Sequence, residues 1–190
     1  MTTRDLLILA YSAFGGKMRG NTLLQKRVYF LGVMLGKEVE LGYDAHYYGP
    51  YSQDVARANS ELVSLRFVKE TPSEFGLVDR AGFEVVRHDH RLTRAGERIA
   101  ASKKERHADE WRSIEEAAER IGKGGNLSYM ELSVAAKAFC LLRKKGNKAT
   151  LPELRHLATR FGWSIGEKEM HRAAEFLEKI GLVEVSGPGK

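Results

Sequence analysis

Residues 47–52 read Tyr47-Tyr48-Gly49-Pro50-Tyr51-Ser52, and the fold class turns on this stretch. Gly49-Pro50 forces a turn, and Ser52 is a natural N-cap for a helix running to about Ser64. Val55, Ala58, Leu62 and Leu65 give that helix one apolar side. Upstream, Leu6, Leu7, Leu9, Ala10 and Phe14 recur at helical spacing until Gly15-Gly16. A second helix opens at Asn21-Thr22, where Thr22 and Gln25 have capping-box spacing. Its stripe of Leu24, Val28, Leu31 and Leu35 ends at Gly36, and residues 39–48 then read as extended.

Downstream the period shifts from helical to alternating. Residues 67–70 and 83–86 predict two strands joined by a loop over 71–82, and residues 90–92 a third short extended piece. Thr93 caps a further helix that carries Gly96 to Ala101. Helix, helix, strand, helix, hairpin, helix is the order of a winged helix-turn-helix with an added leading helix.

Residues 103–121 predict a connecting helix with Trp111, Ile114, Ala117, Ala118 and Ile121 at helical spacing, and Gly122, Gly124 and Gly125 mark a linker. Three capping-box pairs then follow: Ser128 with Glu131, Thr150 with Glu153, and Ser164 with Glu167. Gly181 closes the last helix ahead of a strand at 182–185. The expected architecture is mainly α with small β wings (α+β). Tandem winged helix-turn-helix units occupy 1–102 and 127–190, joined by the helix and linker of 103–126.

Composition bounds the function classes. The chain has 190 residues, 43% hydrophobic and 29% charged, which excludes global disorder. No apolar run approaches the roughly 18 residues of a membrane span, and the first residues lack a signal-peptide layout. The expectation is a cytoplasmic protein without a membrane partner. Cys140, the single cysteine, can neither staple the fold nor build a thiolate cluster, and reads as buried filler. Net charge is +6, with a pI near 9.4. The excess is spread over both halves, so recognition of an anionic partner must come from placement rather than from a basic tail.

The sequence holds no phosphate-binding Gly-rich loop ending in Lys-Ser or Lys-Thr, no Gly-x-Ser-x-Gly elbow and no His-Glu-x-x-His helix. His88, Asp89 and His90 resemble part of a metal site, but alternation puts the two histidines on one face and Asp89 on the other, with no further ligands near. No metal or cofactor is expected, and a non-enzymatic protein is. For duplex DNA the candidates are Tyr48, Tyr51, Ser52, Gln53, Arg57 and Asn59 around the start of the helix after the turn. Asp54 opposes that placement unless it caps the helix or pairs with Arg57. Arg80, Arg87 and Arg91 are the wing candidates for the backbone, and Arg143, Lys144, Lys145 and Lys148 form a basic turn that could hold phosphates. Trp163 reads as packed beneath its turn.

Two stretches resemble a known family. Thr22-Leu23-Leu24-Gln25-Lys26-Arg27-Val28-Tyr29-Phe30-Leu31 looks like the "T-x-L-Q-K-x-x-Y-F/L" helix of prokaryotic YwgA-like and Panacea (SocA-type antitoxin) proteins. Tyr48-Gly49-Pro50-Tyr51-Ser52 is similar to their "Y-G-P-x-S" turn, and residues 62–68 to their "L-x-x-L-G-L-V" exit, with Arg66 where the exit has glycine. Leu92-Thr93-Arg94-Ala95-Gly96 fits a common winged-helix "L-T-x-x-G" ending. The resemblance spans roughly residues 4–100. It implies a winged-helix domain of a small prokaryotic protein linked to toxin–antitoxin, defence or regulatory loci.

Two functions follow as expectations. The first is a winged-helix regulator or locus component that binds duplex DNA, as a homodimer or within a hetero-complex. The second is an adaptor or antitoxin that grips a partner protein, a toxin or effector, through the same faces, with Tyr47, Tyr48 and Tyr51 as anchors. A hydrolase built on His88, Asp89 and His90 is the remote third.

Overall fold

The computed structural model describes residues 1–44, 49–78, 84–125 and 127–185, the side chains of 74–78 and 84–85 excepted. The described chain is mainly helical, with eight helices and a small antiparallel sheet. In chain order the first half contains α1 (Thr3–Ala13), β1 (Lys17–Arg19), α2 (Asn21–Met34), β2 (Tyr43–Asp44), β3 (Tyr51–Ser52), α3 (Gln53–Ser64), β4 (Val68–Val78) and β5 (Glu84–Leu92). Five helices follow: α4 (Arg94–Arg106), α5 (Ala108–Lys123), α6 (Tyr129–Lys144), α7 (Leu151–Arg160) and α8 (Glu167–Lys179). Among the described residues no helix is long and apolar enough to cross a membrane.

Thr2 caps α1 by accepting from the Asp5 N–H at 3.1 Å. Leu6 through Tyr11 are all buried, so every side of this helix meets protein: α3, α4 and α5 pack around it. The three-stranded sheet has the order β1-β5-β4, all antiparallel, so the short first strand closes on the last. Sequence alternation finds neither β1 nor the true length of the hairpin. Residues 71–78, expected as loop, continue β4, and residues 84–92 are one strand rather than two pieces. Phe83 lies outside the described residues. Of the expected extended segment at 39–48, residues 39–42 are turn, Tyr43 and Asp44 form β2, and residues 45–48 lie outside the described residues.

A buried polar clasp joins α2 to the turn before α3. The Gln25 side-chain amide donates to the Ser52 carbonyl at 2.9 Å and accepts from the Ser52 N–H at 3.0 Å. Lys26, 1% exposed, donates to the Pro50 carbonyl at 2.7 Å. Burial, with Lys137 nearby, pulls the Lys26 amine down to about 8. Gln25 is thus spent on Ser52, and the expected Thr22–Gln25 capping box does not form: Gly20 holds the N-cap position of α2 with no side-chain cap. Gly49 sits at φ +88 against α6, where an added Cβ would meet Lys137 Cγ at 3.0 Å.

A second junction ties the end of α3 to α4. Thr93 caps α4 through the Gly96 N–H at 3.1 Å, and its hydroxyl also donates to the Arg66 carbonyl at 2.8 Å. A Cβ on Gly96 would strike the Phe67 carbonyl oxygen, so Leu92-Thr93-x-x-Gly96 is one packing unit: buried anchor, cap and close approach. Arg66 itself has φ +61, a conformation that glycine adopts without strain.

In the second half, the capping boxes Ser128–Glu131 and Thr150–Glu153 form as spaced. The third does not. Glu169 accepts from the Gly166 N–H at 2.7 Å, which starts α8 two residues beyond the expected site. Residues 182–185, expected as a strand, are not one, and no described strand lies beside them to supply a ladder. The region expected as one connecting helix is two, broken at His107, and α5 buries Ile114, Ala117 and Ile121 against α1 and α2. One apolar cluster runs from Leu6 to Ile180. Phe30 of α2 meets Phe176 of α8 edge-on, with ring centroids 5.4 Å apart.

Candidate nucleic-acid interface

Helix α3 follows the clasped turn, and the clasp decides which of its side chains reach solvent. Gln53 and Arg57 are exposed. Arg57 pairs with Asp54 at 3.5 Å, the partnership that makes the carboxylate tolerable there. Ser52 and Asn59 do not reach the surface, which corrects their expected contact with DNA. The Ser52 hydroxyl caps α3 through the Val55 N–H at 3.0 Å and donates to the Leu41 carbonyl, leaving the residue 0% exposed. Asn59 is buried and accepts from the Tyr11 hydroxyl at 2.7 Å. Tyr51 is half-buried in β3. Tyr48 and Arg80, like Tyr47, lie outside the described residues.

The sheet separates two chemistries. On its inner face Met18, His90 and Glu70 stand side by side across the strands. Glu70 accepts one contact from each histidine, 3.1 Å from His88 Nδ1 and 2.9 Å from His90 Nε2. His90 is buried, and its Nδ1 has no hydrogen-bond partner among the described residues. Burial lowers its pKa, opposed in part by Glu70. The two histidines do share a face opposite Asp89, and among the described residues no group of three or more His, Cys, Asp or Glu is placed to hold a metal ion.

On the outer face the register aligns Lys17, Arg91 and Lys69 as directly opposed neighbours on β1, β5 and β4. All three are exposed, and none has an ion-pair partner among the described residues. The next row is Arg19, Asp89 and Thr71. Asp89 is held by Arg87 in a two-pronged contact at 2.6 and 2.8 Å, which keeps its carboxyl below the usual range and the guanidinium firmly charged. The described part of this face carries five cations and one carboxylate, and that carboxylate is already occupied.

Arg87 and Arg91 were legible as wing cations, whereas Lys17, Arg19 and Lys69 were missed. A polar–apolar–polar alternation runs through Lys17-Met18-Arg19, but three residues are too few to distinguish a strand from a turn. For Asn59 a signal existed: it lies four residues after Val55 and three before Leu62, on the apolar side of its own helix.

The basic turn after α6 is exposed throughout, shaped by Gly146 and Asn147 at φ +75 and +66. Three of its four cations have a partner among the described residues. Arg143 pairs with Glu38 at 3.3 Å, Lys145 approaches Glu153 at 4.0 Å, and Lys144 lies over the Phe161 ring at 5.6 Å. Lys148 is exposed with no such contact among the described residues. Trp163 is buried and stacked on Phe161. Cys140 is half-buried rather than filler in the core, with its thiol pushed up by burial.

No protein-family model matches the chain, and no curated protein matches it at a significant level.

Proposed function

We propose that the chain is a non-enzymatic winged-helix protein that binds duplex DNA, a regulator or a component of a toxin–antitoxin or defence locus. The observation that carries this reading is the helix–strand–helix–helix–hairpin order with β1 closing on β5. It leaves Gln53 and Arg57 exposed at the start of α3, beside a hairpin with a cationic outer face. In such a fold the helix after the turn enters the major groove and the wing meets the backbone. Gln53 can read adenine and Arg57 guanine. The second half covers α2 and the Gly49-Pro50 turn through α6, and its described residues contain no strand.

The test is binding of the full chain to a labelled random 30-base-pair duplex at low and then moderate salt. The expected result is tight binding that weakens steeply with ionic strength and that Arg57→Ala reduces. No binding at low salt overturns the reading.

A partner-protein reading draws on a separate observation. Tyr129 and Met130 stand side by side at the start of α6, exposed by 52% and 57%. Exposed aromatic anchors of this kind favour a protein interface, whose affinity changes little with salt.

A further inference from the structure

We propose that the outer face of the three-stranded sheet is a phosphate-backbone-binding surface for duplex DNA, gripped by the row Lys17, Arg91 and Lys69. The inference rests on the DNA reading above and deepens it. It names the side chains of the sheet that make the backbone contact and adds Lys17 of β1, which lies outside the hairpin.

The argument begins with cost. Like charges directly opposite on neighbouring strands destabilise a sheet. Here three stand in one line, and the nearest carboxylate on the face, Asp89, is spent on Arg87. Lysines on edge strands also discourage pairing with other chains, which would account for Lys17 on β1 or Lys69 on β4 taken singly. It does not account for Arg91, which lies on the central strand. An external anion relieves all three at once.

Dimensions and chemistry select the anion. Strands spaced about 4.8 Å apart make the row roughly 10 Å wide. Each strand of duplex DNA presents a charge about every 3.4 Å along the axis, so a strip of that width spans roughly three phosphates of one strand. The described outer-face residues are all polar: Lys17 and Arg19 on β1, Arg87, Asp89 and Arg91 on β5, and Lys69, Thr71 and Ser73 on β4. A lipid surface would call for apolar side chains to insert, and this face offers none among its described positions. A pleated face without a projecting helix reaches phosphates rather than base edges, so its contribution is independent of sequence.

The experiment compares the full chain with the triple variant K17Q/K69Q/R91Q on two unrelated 30-base-pair duplexes between 50 and 200 mM salt. If all three cations meet phosphates, the slope of log affinity against log salt becomes shallower by roughly 2 to 3, equally on both sequences. Arg91→Lys keeps the wild-type slope, and Arg91→Gln alone loses roughly 1. Thermal melting of each variant verifies the fold, with the triple variant expected to melt no lower than wild type, because it sheds like-charge repulsion. A folded triple variant with the wild-type slope overturns the sheet-face proposal while leaving DNA binding intact. A wild-type chain that ignores both duplexes at 50 mM salt overturns the DNA reading and this one with it. So does charge-dependent binding to phosphatidylserine vesicles in place of DNA.

Discussion

Helix ends in the second half are closed by residues three apart, as in Ser128–Glu131 and Thr150–Glu153. In the first half α1, α3 and α4 are capped in the same local way, but α2 and the turn before α3 are closed by residues 24 and 27 apart, Lys26 to Pro50 and Gln25 to Ser52. Local closures stabilise one helix each and form whatever the rest of the chain does. Distant closures form only when two elements have already docked, so they report on tertiary structure. A different contrast separates the two basic regions. The α6–α7 turn gathers its cations in six consecutive residues and gives Arg143, Lys144 and Lys145 each a partner, Glu38, Phe161 and Glu153. The sheet face gathers its cations from three strands and leaves its first row without an ion pair among the described residues.

The largest effect expected from this contrast is at the seam between the halves. Phe176→Ala removes a side chain 2% exposed that meets Phe30, and should cost about 3–5 kcal/mol in denaturant unfolding. Hydrogen exchange sharpens the point. Protection should fall in α2 as well as α8, because one apolar cluster spans both. Loss confined to α6 through α8 would show that the halves are stabilised separately.

Next in size is the buried lysine of the clasp. Its folded pKa of about 8 lies below the ordinary lysine value of 10.5, so between those values the unfolded chain binds more protons. Stability therefore rises with pH across that window. From pH 7.5 to 9.5 the wild type should gain roughly 2 kcal/mol relative to Lys26→Met, which lacks the titrating amine. Parallel unfolding curves at the two pH values would mean that Lys26 is not desolvated as its contacts imply.

The smallest effect tests a local closure. Thr150→Ala removes one cap from α7 and should cost about 1 kcal/mol. Amide protection should change mainly in the first turn of α7. A loss several times larger would make this cap as global as the clasp, and the contrast between the halves would fail.

Much of the helical skeleton was legible because its signals are local. Gly15-Gly16 stops α1, Ser52 caps α3, Thr93 caps α4, and two of the three capping boxes expected in the second half form where they were placed. The third failed within the same rules: Ser164 and Gly166 compete to start one helix, and Glu169 reaches the later one. The candidate site was legible in part. Gln53, Arg57 and Arg91 are at the surface where alternation and helical spacing put them. Ser52 and Asn59 are chemically suited to DNA but are drawn inward by Leu41, Gln25 and Tyr11, all distant in sequence.

Most helix ends are readable from neighbouring residues, because caps and left-handed turn residues act on backbone groups within about four positions. Helical spacing of apolar residues likewise marks the side that most of the helices bury. That β1 exists, that it closes on β5, and that Lys17, Arg91 and Lys69 stand in one row depend on packing between distant segments. Strand register is a choice between whole ladders, and a shift of one residue would turn every side chain to the opposite face. That choice is made by burying Met18 and His90 against the helices, and the outward row of charge follows from it.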